Sequence, residues 1–369
     1  MTPRIEESER RAPRCLGMMG AMAGLMLAPC AQASQWWVVN LHVGQGDSRA
    51  TAVGSGQQVG QASAQASLWT GSPDSWVSLH PAGAHMSIAW GADAGQQVGF
   101  TYDGTYDHAA LWRGSAESRV DLNPAGATYS LAFGVRGGTQ VGRAKFGQHE
   151  HAGLWTGSAQ SWVDLHSIAW HNSWATDLYG DQVVGCVDLP AAGQHACLWT
   201  GARHSWVDLN PTGSQQSSAG DVYDGQQVGW VYPGGGYWER ASLWTGTSES
   251  WKSLHPAGWK WSEAYGVYAG QQVGVVGTAD DYCYASIWSG SATSWVNLHP
   301  FLPANFTKSR ANDIWGEIRD GVSYTYVVGE ALNSTTGHWE AVMWVIPEPT
   351  GALTMLAALI VLSRTLRGR

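Results

Sequence analysis

Seven times along this 369-residue chain the phrase SWVxLH, or a close variant, ends a unit, at His42, His80, Asn123, His166, Asn210, His255 and His299. Three further landmarks keep the same count. An A-x-LW segment ends at Trp69, Trp112, Trp155, Trp199, Trp244, Trp288 and Trp344. A QQVG segment carries Val59, Val98, Val141, Val184, Val228, Val273 and Val328, and S-x-A opens at Ser48, Ser87, Ser130, Ser173, Ser217, Ser262 and Ser309. Spacings are mostly 43 to 45 residues. Apolar residues alternate within each landmark, and Gly, Asp, Ser or Pro bound it, which is the period-two pattern of short strands between tight turns. A repeat of that length holds one four-stranded unit. We letter its strands A (S-x-A), B (QQVG), C (A-x-LW) and D (SWVxLH).

The count balances only if the two ends meet. The first D-type phrase, QWWVVNLH at 35–42, has no A, B or C before it. The seventh unit runs A, B and C, the last being EAVMWV at 340–345, with no D after it. Pairing the two completes a seventh blade from both ends and leaves no gap through which a ring could unravel. The expected fold is therefore all-β: a seven-bladed β-propeller of four-stranded blades over residues 34–346. Small-residue strand A lies innermost, strand D outermost, and the N-terminal strand closes the last blade.

The ends read differently. Residues 1–33 hold Arg4, Arg10, Arg11 and Arg14, then the apolar run CLGMMGAMAGLMLA, then AQA before Ser34; that order is the pattern of a secretory signal peptide. Residues 347–369 read PEPTGALTMLAALIVLSRTLRGR: Pro347, Glu348 and Pro349, an apolar stretch that is short for a free-standing membrane span, and a cluster of Arg364, Arg367 and Arg369 that would stay cytoplasmic. This three-part order resembles the PEP-CTERM sorting signal of Gram-negative bacteria. The resemblance implies recognition by an exosortase-type membrane enzyme, removal of the tail, and release or attachment at the cell surface or in a biofilm matrix. The membrane would be met only through that segment before processing.

Across 36–344 the repeats resemble the HAF family of extracellular repeats, through HAALW, HAGLW and HACLW at 108–112, 151–155 and 195–199 and the WVDL after two of them. Where that family has Phe before Leu-Trp, this chain has Ser67, Ala110, Gly153, Cys197, Ser242, Ser286 or Val342. The resemblance implies an extracellular compartment more than an activity.

Charge narrows the partners. The whole chain is at −9, and without its two ends the ring holds 13 basic and 25 acidic residues. An acidic surface poor in Lys and Arg offers no footprint for nucleic acid. Of the cysteines left after processing, Cys186 and Cys197 flank one hairpin and would either pair or stay as thiols, and Cys283 is left over in both cases.

Thirteen of the 23 tryptophans fall on the framed positions of strands C and D, where a large ring fills space between blades. The others include Trp230, Trp238 and Trp339, read into B–C loops, and Trp170, Trp259 and Trp261, read into D–A loops. In an A-B-C-D meander those two loop sets share one face, together with Tyr106 and Tyr232. Clustered exposed rings mark binding surfaces, so these eight residues form the expected ligand face, suited to extracellular glycan or a protein partner.

Metal and catalytic readings are weaker. The repeated His slot alternates with Asn, which suits a hydrogen-bonding strand end, and His149 and His151 lack a third ligand. No GxSxG elbow, HExxH helix, phosphate loop or dinucleotide fingerprint is present, and nothing calls for a cofactor. A glycosidase or lyase would need two loop carboxylates at suitable separation, drawn from Asp103, Asp107, Glu150, Asp188, Glu239, Asp280 and Asp281. The expectation is a non-catalytic exported binding or structural propeller; the alternative is a polysaccharide-active enzyme.

Overall fold

The computed structural model describes residues 36–347 apart from 201–204, 237 and 320. It is a seven-bladed propeller of four-stranded antiparallel sheets, with helix only as single 3-10 turns. Six blades run A-B-C-D in chain order. The seventh is built from strands Phe306–Arg319, Val322–Asn333 and Trp339–Pro347 and is completed by the N-terminal strand Trp37–Asn40. Register across that seam is antiparallel, with Trp37 opposite Val345 and Asn40 opposite Val342. Each innermost strand touches the next, and the last touches the first, so the ring is closed.

One column of tryptophans explains how blades stack. Trp69, Trp112, Trp155, Trp199, Trp244, Trp288 and Trp344 are almost wholly buried. Each packs against the preceding blade: Trp112 on Val59, Leu68 and Leu79, Trp288 on Val228 and Leu254, and Trp69 on Met343 and Val345 across the seam. An aromatic of this size removes more apolar surface from water than any other side chain could in that slot. The small residue that precedes Leu-Trp has a separate reason. In three blades it is a serine that accepts the indole N–H of the strand-D tryptophan: Trp76 to Ser67, Trp251 to Ser242 and Trp295 to Ser286, at 2.9–3.0 Å. In blade three Trp162 covers Gly153, where a Cβ would collide with the ring.

The landmark serine is a hydrogen-bond hub at all seven blade junctions. Its Oγ accepts the backbone N–H of an alanine on the preceding blade's strand C, as in Ala66 to Ser87 at 2.8 Å and Ala341 to Ser48 at 2.9 Å. The same hydroxyl meets the His or Asn that ends the preceding strand D. Ser130 donates to Asn123 Oδ1 and Ser217 to Asn210 Oδ1, both at 2.7 Å. His80 and His255 put Nδ1 2.8 Å from Ser87 and Ser262, while their Nε2 atoms face the carbonyls of Ala84 and Trp259 at 3.1 and 3.2 Å. A carbonyl only accepts, so Nε2 carries the hydrogen and Nδ1 takes the serine proton. Neutral histidine and asparagine are therefore interchangeable here.

That arrangement sets an acid sensitivity. Burial, helped by neighbouring His151, holds His166 down to about 4, and burial also lowers His255 and His299. Above the ordinary histidine value neither folded nor unfolded chain binds the proton, and stability is full. As pH falls below about 6.5 the unfolded chain takes it up first, so stability is lost progressively toward the folded-state value. His166→Asn, which copies the slot in two other blades, is expected to cost under about 1 kcal/mol at pH 7.5 and to shrink the fall in melting temperature between pH 7.5 and pH 5. An unchanged fall in thermal melts would contradict this origin.

Every innermost strand also carries a β-bulge at the same place, three residues after the landmark serine. The glycine of QQVG lies opposite it. At Gly60, Gly99, Gly142, Gly185, Gly229, Gly274 and Gly329 a Cβ would overlap the carbonyl oxygen of the residue after the serine. The second glutamine of that motif is buried and accepts the N–H of the C–D turn glycine, as Gln97 does from Gly114 at 2.8 Å. Its amide donates to the preceding blade's first glutamine, Gln97 to Gln57 at 2.9 Å.

The three described cysteines, Cys186, Cys197 and Cys283, are unpaired and buried. Cys197 lies opposite Gly185 and Cys186 opposite Ala196, so the two thiols sit on opposite faces of the sheet, and that pairing is ruled out in this fold. Residues 1–33 and the PEP segment beyond Pro347, with Glu348, Pro349 and the arginine tail, lie outside the described residues. Among the described residues no helix is long and apolar enough to cross a membrane.

Candidate functional site

Bulging the innermost strands turns side chains into the axis. The resulting channel has a cavity of about 120 Å³ and two unlike walls. On blades two and three it is aromatic: Trp90 lies 4.9 Å from Phe133 and 4.8 Å from Phe100. Blades four, five and seven contribute Asp177, Asp221 and Asp313, each just after its bulge. Two of these carboxylates stitch adjacent blades. Asp221 accepts the N–H of Val222 and, from blade six, of Val267, both at 2.6 Å; Asp313 accepts Ile314 at 2.7 Å and, from blade one, Val53 at 2.8 Å. Burial and the nearby Asp221 push Asp313 up to about 8 and hold Asp177 well above the usual carboxylate range. Among the described residues no three His, Cys, Asp or Glu stand together as a ligand set.

At the A–B end the channel is crossed by Arg136. Its guanidinium lies 5.2, 5.9 and 5.4 Å from the rings of Tyr179, Tyr223 and Trp315. Those rings and Tyr268 form a continuous arc, with neighbouring centroids 4.5, 4.6 and 5.0 Å apart. Beside this rim, blade seven's A–B hairpin extends beyond the position where the other blades turn, to Arg319 and Val322, leaving Ile318 71% exposed.

The opposite end carries the loop rings expected from the sequence, and they are not equivalent. Tyr106 and Trp238 are about half exposed in B–C loops, as is Tyr282. Lys260 approaches Trp238 at 5.8 Å and Lys308 approaches Tyr282 at 5.8 Å. Trp259 is half-buried edge-on against Trp295 and Tyr284 at 5.2 and 5.7 Å. Trp170 is buried, packed on Trp206 at 5.2 Å, and is no surface residue. Four rings belong to strands instead of loops. Trp230 and Tyr232 lie in strand Gln226–Tyr232, Trp261 opens Trp261–Tyr268, and Trp339 opens Trp339–Pro347. Pairing simply continues further along B, A and C than the landmark phrases reach. Trp261 rests on Gly277 and donates to Thr278 O at 3.2 Å, and Arg310 covers Trp339 at 5.5 Å.

Of the carboxylates read into loops, Asp107, Glu150 and Asp188 lie in strands, where pairing runs on past the landmark phrases, and most of the set is engaged. Glu150 accepts from Tyr129 and the Trp174 indole and pairs with Arg143 at 3.1 Å. Asp103 caps the N–H groups of Thr105 and Tyr106, Asp188 accepts from Asn172, and Asp281 pairs with Lys308. His149 meets the carbonyl of His171 and His151 pairs with Asp164 at 2.9 Å, so the two histidines have separate partners.

Solved structures similar to this chain include a puromycin hydrolase S511A mutant complexed with PGG (12% identity, TM-score 0.53, covering 85% of this chain and 56% of that one). A puromycin-hydrolyzing peptidase of Mycobacterium tuberculosis matches at 12% identity and TM-score 0.51, over 80% of this chain and 52% of its own. The likeness is one of fold. The chain spans between half and two thirds of the length of these two structures, and at such identity no activity carries across. No protein-family model and no curated protein matches the chain.

The axial cluster escaped the reading of the sequence, although a signal was there. Counting six residues on from each landmark serine gives Gly54, Asp93, Arg136, Tyr179, Tyr223, Tyr268 and Trp315. Counting four gives Ala52, Gly91, Gly134, Asp177, Asp221, Gly266 and Asp313. Both are columns in which the repeat is not kept.

Proposed function

We propose that this protein is an exported, non-catalytic binding propeller that contacts extracellular glycan or a surface protein through its B–C and D–A loop face. One observation carries the reading: Tyr106, Trp238 and Tyr282 stand half exposed on that face, while the repeated serines, histidines, asparagines and glutamines are spent on joining blades. Rings held out on a rigid scaffold offer stacking area at little entropic cost. Export and tail processing rest on the flanking segments. The seam supports them, because residues 37 and 345 are direct neighbours and trimming beyond either would remove none of the ring's strands.

The test is a glycan array probed with the parent chain and with the Tyr106→Ala/Trp238→Ala double variant. Both substitutions fall on exposed loops, so the ring should melt as before, and retention on any bound glycan should fall at least about tenfold. Equal retention by parent and variant would refute the loop face as the contact surface.

A further inference from the structure

We infer that the A–B mouth of the axial channel is a second binding site, for an acidic sugar: a uronate whose carboxylate meets the Arg136 guanidinium while its ring rests on the rim of Tyr179, Tyr223, Tyr268 and Trp315. Three observations lead there. First, the guanidinium stands 5.2–5.9 Å from three rings, and among the described residues no ion pair involves it. Its Nε–H is buried without an acceptor. A planar fork of donors is matched by the two oxygens of a carboxylate. Second, the cavity of about 120 Å³ holds a carboxylate and a few waters, not a sugar. The sugar must therefore stay at the rim, where part-exposed aromatic faces suit its C–H surfaces. Third, a cleft of about 350 Å³ adjoins the rim between Tyr268, Gln271 and the projecting hairpin at Gly316, Glu317 and Thr325, with room for a further sugar among polar groups.

An organic cation fits less well, since the Arg136 guanidinium already sets a positive charge beside these rings. The carboxylates of the channel floor do not exclude an anion. Asp221 and Asp313 are each held between two backbone N–H groups, and burial raises Asp313 to about 8 and Asp177 well above its usual range. This site lies on the face opposite Tyr106 and Trp238 and stands or falls apart from them.

Calorimetric titration of the full chain with trigalacturonate, galactotriose and acetate tests it. Trigalacturonate is expected to bind at least about tenfold more tightly than either of the others. Arg136→Met should lose at least about tenfold, and Arg136→Lys, which keeps the charge and loses the fork, should also weaken binding; if the Met variant does not fold, the Lys variant decides. Val296→Ala, on an exposed outermost strand away from both faces, should leave the affinity unchanged. Equal affinity for galactotriose, equal affinity for acetate, or an Arg136→Lys variant that binds like the parent would each overturn the proposal.

Discussion

A chain lacking residues 36–40 melts roughly 5–10 °C below the parent, because it loses about 4–6 kcal/mol of pairing and burial. The strand they form pairs residue for residue with Val342–Val345. Leu41 extends the pairing through a 2.8 Å bond to the Ala341 carbonyl, Asn40 donates to Glu340 at 2.8 Å, and Trp36 stacks on Phe301 at 5.0 Å. Without it, blade seven ends in a long unpaired strand, Trp339–Pro347, with every outward N–H and C=O available to a second molecule. The truncated chain is thus expected to self-associate as well as to melt early. Supplying a peptide of residues 35–42 should restore part of the loss. A melting temperature unchanged by the truncation would mean that the end strand adds nothing to the ring.

The largest effect from a single atom group is expected at the glycine facing each bulge. Gly229→Ala should cost at least about 3 kcal/mol in chemical denaturation, since the new methyl would overlap the Ser218 carbonyl and crowd Ala219 Cα in a part of the sheet with no slack. Gly220→Ala is the matched control. Its Cβ would meet Tyr265 O at 3.6 Å, ordinary contact, and the change should lie within about 1 kcal/mol. If the two substitutions cost the same, the glycine column answers to something other than the bulge.

These two columns show why the fold was legible in the sequence and the axial site was not. A sevenfold signal reports what every blade needs: Trp244 and its equivalents to fill a junction, Ser262 to tie three strands, Gly274 to clear a carbonyl. Repetition also exposes the unmatched ends, so the closure through Trp37–Asn40 could be expected from counting alone. A channel residue is used once. Arg136, Asp177 and Trp315 break the repeat, and period-two patterning says only that they face one side of a strand, not that bulges bring them to a common axis. A related reason separates the aromatic rings outside the axis. The landmark phrases stop short of the true strand ends, so in the sequence Trp230 and Trp261 look like loop residues, whereas Trp170 sits in a connection that folds back onto Trp206.

Ring closure is the claim on which blade number, loop faces and the axial channel all depend, and one cross-linking measurement tests it most directly. Val39 and Met343 are register partners, and directly opposed residues of antiparallel strands are within disulfide reach. The Val39→Cys/Met343→Cys chain should form, on mild oxidation, a disulfide between peptides containing residues 39 and 343 of the same molecule, read by non-reducing mass spectrometry. Failure to form that link, or its formation only between separate chains, would contradict the closed seven-bladed ring.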